Sequence, residues 1–110
     1  MVDRNSIVVI LVTAPDGRVA EELARSLVEE RLVACVNIVP GLKSMYWWEG
    51  SVQSSDEVLM LAKARKDDVD AVAARVRELH PYEVPEVIAT EVVSGLDVYL
   101  DWVNSETERG

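Results

Sequence analysis

Ile7-Val8-Val9-Ile10-Leu11-Val12 is an unbroken apolar run rich in β-branched side chains. Side chains alternate across a strand, so a strand apolar at every position has no face to offer water and belongs inside a sheet, covered on both sides. The rest of the chain therefore has to supply flanking strands and a layer of helix. The run ends at Thr13-Ala14-Pro15, where Asp16 can accept backbone N–H bonds as an N-cap. Val19, Ala20, Leu23, Ala24, Leu27 and Val28 then recur on one face at helical spacing, which predicts a first helix.

Beyond Arg31 the period changes. Val33 to Val39 reads as a second strand, Pro40-Gly41 interrupts it with a kink or bulge, and it resumes through Met45-Tyr46-Trp47-Trp48. Glu49-Gly50 is a turn signal, and a third strand through Glu57 to Lys63 pairs back on the second as a long hairpin. Asp67 or Asp68 can cap a second helix whose stripe is Val69, Val72, Ala73 and Val76. That helix should stop near His80, because a residue preceding proline, here Pro81, avoids helical geometry. After Pro85 a fourth strand is expected over Glu86 to Val93, Gly95 breaks it, and a short last helix carries Tyr99, Leu100, Trp102 and Val103.

The order β-α-β-β-α-β plus a terminal helix predicts an α+β, ferredoxin-like fold with its first two helices on one sheet face. No repeat, low-complexity tract or linker divides the chain, so residues 1–110 are expected to form a single domain. Its ordered core should run from about Ser6 to about Asn104, with ETERG as a loose tail.

Composition narrows the partners. The chain has 20 acidic and 11 basic side chains and a formal charge of −9, which repels phosphate backbones and anionic membrane surfaces. Neither nucleic acid nor a membrane is an expected partner. Charged residues punctuate every later apolar run, so none approaches the roughly 20 residues of a membrane helix. Ile7 to Val12 is short for an export signal and follows the mixed-charge MVDRNS. Cys35 is the single cysteine and cannot form an intrachain disulfide, which fits a reducing, cytoplasmic location.

The second strand raises a packing problem. Tyr46 and Trp48 leave one face and Met45 and Trp47 the other, so both faces are large and apolar. Helices in a two-layer fold cover only one face, and one aromatic pair would then sit in water. Association between subunits is the expected solution; the alternative is that the terminal helix covers the second pair.

The segments TAPD at Thr13 to Asp16, LVEERLVACVNIVPGLKSMYWWEG at Leu27 to Gly50, ELHPYEVPEVIA at Glu78 to Ala89 and YLDWV at Tyr99 to Val103 closely resemble CutA proteins, in the same order over nearly the whole chain. The resemblance implies a homotrimer whose long hairpins pair edge to edge between subunits, with an assembly like that of PII-like signalling proteins. It also implies a role in divalent-cation tolerance and the response to metal ions, with copper or another divalent ion bound and no cofactor required. Mammalian members of the family are associated with anchoring or processing acetylcholinesterase.

Carried over by position, the resemblance makes His80, the histidine of the HPY motif and the only one in the chain, the candidate metal ligand. The alternative is that its imidazole caps the second helix or hydrogen-bonds a carboxylate. Glu83 or Glu86 could join it, though imidazole and carboxylate do not select copper uniquely. Some bacterial members carry a cysteine in the first strand and a second histidine before the HPY histidine, where this chain has Val12 and Leu79. Any copper affinity should therefore be modest. Cys35 matches the ACVN cysteine, but a lone cysteine in an apolar strand reads first as a small buried hydrophobe.

Glu57, Lys63 and Tyr82 also occupy family positions and are candidates to line an intersubunit pocket. Glu57 and Lys63 are an even number apart and share a sheet face; a structural ion pair is the alternative. Where the family usually has threonine after this lysine, Ala64 removes one hydroxyl. No nucleophile is paired with a base, no Gly-rich phosphate loop occurs and no metal-ligand cluster is apparent in the sequence, so Thr13 and Ser94 are unsupported nucleophiles and a non-enzyme is expected. Three readings stand: a metal-binding tolerance protein, a PII-like trimer sensing a small ligand between subunits, and an interface enzyme using Lys63, Tyr82 and His80.

Overall fold

The computed structural model describes residues 6–109. Fraying expected before Ser6 falls on residues 1–5 and, like Gly110, lies outside the described residues. The elements are β1 (Ile7–Ala14), α1 (Gly17–Glu29), β2 (Cys35–Trp48), β3 (Ser51–Arg65), α2 (Val69–Leu79), β4 (Val87–Glu91) and α3 (Asp97–Glu106). They build a four-stranded antiparallel sheet in the order β2-β3-β1-β4, the α+β ferredoxin-like arrangement the sequence predicts.

Alternation along the strands sorts the residues into two faces. Val8, Ile10 and Val12 of β1 and Met60, Ala62 and Ala64 of β3 point to the helices and pack against Leu23 and Leu27 of α1 and Val72 and Val76 of α2. Asp16 caps α1 as expected, its Oδ1 accepting the Val19 N–H at 2.9 Å. The opposite face starts from Ile7, which packs with Ala34, Leu100 and Val103, so α3 lies across one end of it. Farther along, Val9, Leu11, Leu59 and Leu61 are only half-buried and Ile88 is exposed. β1 is therefore interior to the sheet but covered fully on one face only, which departs from the cover on both sides expected of it.

The hairpin reaches past the body of the sheet. β1 stops at the Ala14–Val58 pair, whereas β3 begins at Ser51, giving the molecule principal extents of 49 × 26 × 22 Å. The strand was expected only from Glu57; pairing with the strand opposite carries the mostly polar Ser51 to Asp56 into the ladder. Glu49 (φ 50°) and Gly50 (φ 82°) form the two-residue connection, both in the left-handed region as a type I′ turn requires. The register slips between Val39 and Leu42, where Pro40 lacks an N–H and Gly41 sits at φ 85°. That bulge reverses parity along β2. Opposite Glu57, Leu42 now lies on the open face, and with it Tyr46 and Trp48, while Met45 and Trp47 take the helix side beyond the reach of the helices.

At the other end of the chain three expectations are corrected. β4 ends at Glu91 rather than Val93. Asp68 stands at the N-cap position of α2 without capping it, because its carboxylate is taken by Arg109 Nη2 at 2.7 Å and Arg65 Nε at 3.5 Å. Within ETERG, residues 106–109 are not a loose tail. α3 continues to Glu106, Thr107 is fully buried with its hydroxyl donating to the Val103 carbonyl at 2.9 Å, and Arg65 Nη2 donates to the Thr107 carbonyl at 3.1 Å. Arg31 adds a bond to Glu106 Oε2 at 3.1 Å. α3 is thus engaged with Ile7 and Ala34 and does not cover the aromatic pairs: Met45 and Trp47 remain 72% and 74% exposed.

Candidate functional site

Between the curling hairpin and the loop after α2 lies a cleft of about 570 Å³. Ser44 to Trp48 of β2 form one wall, and Tyr82, Glu83, Val84 and Glu86 form the other, with Glu57 and Thr13 between them. The loop is held by His80. Its ring is 7% exposed, and Nδ1 accepts the Tyr82 backbone N–H at 3.0 Å, which leaves the proton on Nε2 to be donated to the Thr13 carbonyl at 2.7 Å. One imidazole therefore ties the end of α2 to the end of β1 and aims Tyr82 inward. The Tyr82 hydroxyl donates to Glu57 Oε2 at 2.8 Å. The alternatives of a helix cap or a carboxylate partner for His80 are replaced by these backbone bonds.

Glu57 is only 8% exposed, and no donor among the described residues reaches its Oε1. Burial, with the Glu57 carboxylate adding to it, pushes the Tyr82 phenol up to about 12. A folded-state value above the ordinary 10 means the neutral phenol is the form the fold favours. Its stabilisation is complete below pH 10 and disappears as pH rises through about 12. With Tyr99 replaced by phenylalanine, since it too is raised to about 12, an ultraviolet alkaline titration is expected to show a phenolate step near pH 12 that Tyr82→Phe removes and Glu57→Gln moves only part of the way towards 10, since burial is the larger cause.

The remaining candidates are dispersed. Lys63 shares the open-face parity of Glu57 but lies six residues along β3, on the order of 20 Å away, and donates to Asn37 Oδ1. Within one chain it does not meet Tyr82 or His80. Cys35 is partly buried on β2 with its thiol 3.4 Å from the Tyr99 hydroxyl, whose pKa is raised to about 12 by burial first and by Cys35 second. Val12 is fully buried in the core, Leu79 is exposed at the end of α2, and Ala64 is fully buried on the helix side. Among the described residues no three His, Cys, Asp or Glu side chains converge as a metal cage, and a metal at His80 has to displace either the Tyr82 N–H or the Thr13 carbonyl. The HPY histidine as it stands thus offers no free lone pair to copper.

The aromatics were read in the sequence for association alone. Their place opposite the HPYEVPE loop was missed, because the loop and these aromatics lie more than thirty residues apart and only the sheet brings them together. The signal available was the bulge at Pro40-Gly41, which decides the face that Tyr46 and Trp48 take.

The model of the family described as CutA1 divalent ion tolerance protein matches residues 8–106. The chain belongs to the CutA1 family. A divalent-cation tolerance protein CutA of Thermus thermophilus is 48% identical over 99 residues, covering 90% of this chain and 96% of that one. The rice protein CutA 1, named chloroplastic, is 45% identical over 93% of this chain, which spans only 58% of it. A crystal structure of CutA from Xylella fastidiosa superposes with a TM-score of 0.91 at 42% identity, covering 94% of this chain and 99% of that one. CutA1 relatives are named for tolerance rather than for an enzymatic reaction. No helix among the described residues is long and apolar enough to cross a membrane.

Proposed function

We propose that this CutA1 chain is a cytoplasmic, non-catalytic homotrimer of divalent-cation tolerance that binds copper or another divalent ion. The observation that carries the reading is family membership along residues 8–106. Two features support assembly. The sheet face of Val9, Leu11, Leu59, Leu61 and Ile88 is apolar and incompletely covered, which packing between copies would bury, and the projecting hairpin has a free β2 edge, which strand pairing between copies would fill. His80 is the proposed metal contact, and its condition is that the Tyr82 turn opens, which makes the affinity modest.

The test is calorimetry with copper on wild type and His80→Ala, using protein whose mass by light scattering is three times the 12.2 kDa chain. A small exothermic isotherm that weakens in the variant is expected. A monomer at micromolar concentration ends the assembly reading, and identical isotherms, or none, end the metal reading. A second reading, a sensor of a small ligand, is favoured by the cleft itself. The interface-enzyme reading has no specific observation in its favour, Lys63 being bonded to Asn37 and not to Tyr82 or His80.

A further inference from the structure

We infer that the cleft between the hairpin and the HPYEVPE loop takes a weakly hydrated organic cation, such as a quaternary ammonium group; this rests on reading the cleft as a ligand site. Three of its lining residues, Glu57, Glu83 and Glu86, carry carboxylates, and no lysine, arginine or histidine lines it. Its cavity thus presents negative groups without a counter-charge of its own. Glu57 is more than nine-tenths buried, spends Oε2 on the Tyr82 hydroxyl and leaves Oε1 without a donor among the described residues. Oε1 is not sealed from solvent, so it opens towards the cleft that Glu57 lines as a free acceptor that a cation can face.

Size and softness decide which cation. The three carboxylates do not converge as a metal cage, so a small ion with ligands at about 2–2.5 Å cannot be gripped by all of them. A larger cation spreads its charge over several ångströms and can face separated carboxylates at once. The other wall includes Tyr46 and Trp48, which leave the same sheet face as Glu57, and aromatic faces attract organic cations through their quadrupole while tolerating their apolar surface. At about 570 Å³ the cleft has room for such a group.

Tryptophan fluorescence of the assembled protein should be titrated, at constant ionic strength, with tetramethylammonium, with tert-butanol as an uncharged analogue and with acetate as an anion. Saturable quenching by tetramethylammonium alone is expected, retained in Trp102→Phe and at least tenfold weaker in Glu57→Gln. The exposed pair Glu83→Gln with Glu86→Gln provides the same weakening without touching a buried group, should Glu57→Gln not fold. A response to tert-butanol or acetate equal to or greater than that to tetramethylammonium, or one indifferent to all of these glutamates, overturns the cation while leaving a ligand site. No response to any probe overturns both.

Discussion

Asp68→Ala is expected to lower the stability of the protein by about 3 kcal/mol, seen as a fall of roughly 10–15 °C in the thermal midpoint at fixed protein concentration. Asp68, with its side chain 8% exposed, is the acceptor for both Arg109 and Arg65. Removing it leaves Arg65 Nε buried with no partner, since that atom already has only the longer 3.5 Å contact. Arg109 can swing into water, which keeps the effect at the lower end of the range for a broken buried pair. The loss should spread along the chain, because Arg109 also donates to the Arg31 carbonyl at 2.8 Å and Arg65 to that of Thr107. Arg109→Ala, which leaves Asp68 still facing Arg65, is expected to cost about 1 kcal/mol. Equal midpoints for wild type and Asp68→Ala would mean that the tail is not held by this carboxylate.

His80→Ala is expected to cost a similar amount, about 3 kcal/mol in chemical denaturation, for a different reason. The Thr13 carbonyl and the Tyr82 N–H each lose a partner, and both lie where water enters poorly. The consequence for the site is separable from that for stability. With the loop untied, Tyr82 no longer reaches Glu57, so the phenolate step near pH 12 should move towards 10 in protein that is still folded. With Tyr99→Phe as the background, which removes the other step near 12, a Tyr82 step that stays near 12 in His80→Ala would show that the loop is positioned without the imidazole.

The two predictions divide along what was readable in the chain. His80 was singled out as a lone histidine in a recognisable motif, but its partners are main-chain atoms of Thr13 and Tyr82, and main-chain groups have no residue-specific signal. Asp68 was read as a cap because an acid before an apolar stripe usually caps. Tertiary competition overrode that local preference: two arginines, one from the end of β3 and one from the tail, make charge-assisted bonds stronger than a cap's. The tail itself read as loose because Thr107 is a single small polar residue among charged ones, and nothing local marks it as buried.

The sequence by itself determined the strands and helices and their order, because period-2 and period-3.6 apolar patterns are local properties of the chain. It also determined the bulge, since Pro40 cannot donate and Gly41 alone tolerates φ 85° there cheaply. Only the tertiary structure decided that Glu57 is buried under Tyr82, that α3 closes the Ile7 end of the open face and leaves the aromatics bare, and that hairpin and loop enclose a cleft. Each of these depends on how far β3 overshoots β1 and where α2 hands the chain back to the sheet. Such distances are set by packing between residues far apart in the chain, which periodicity does not encode.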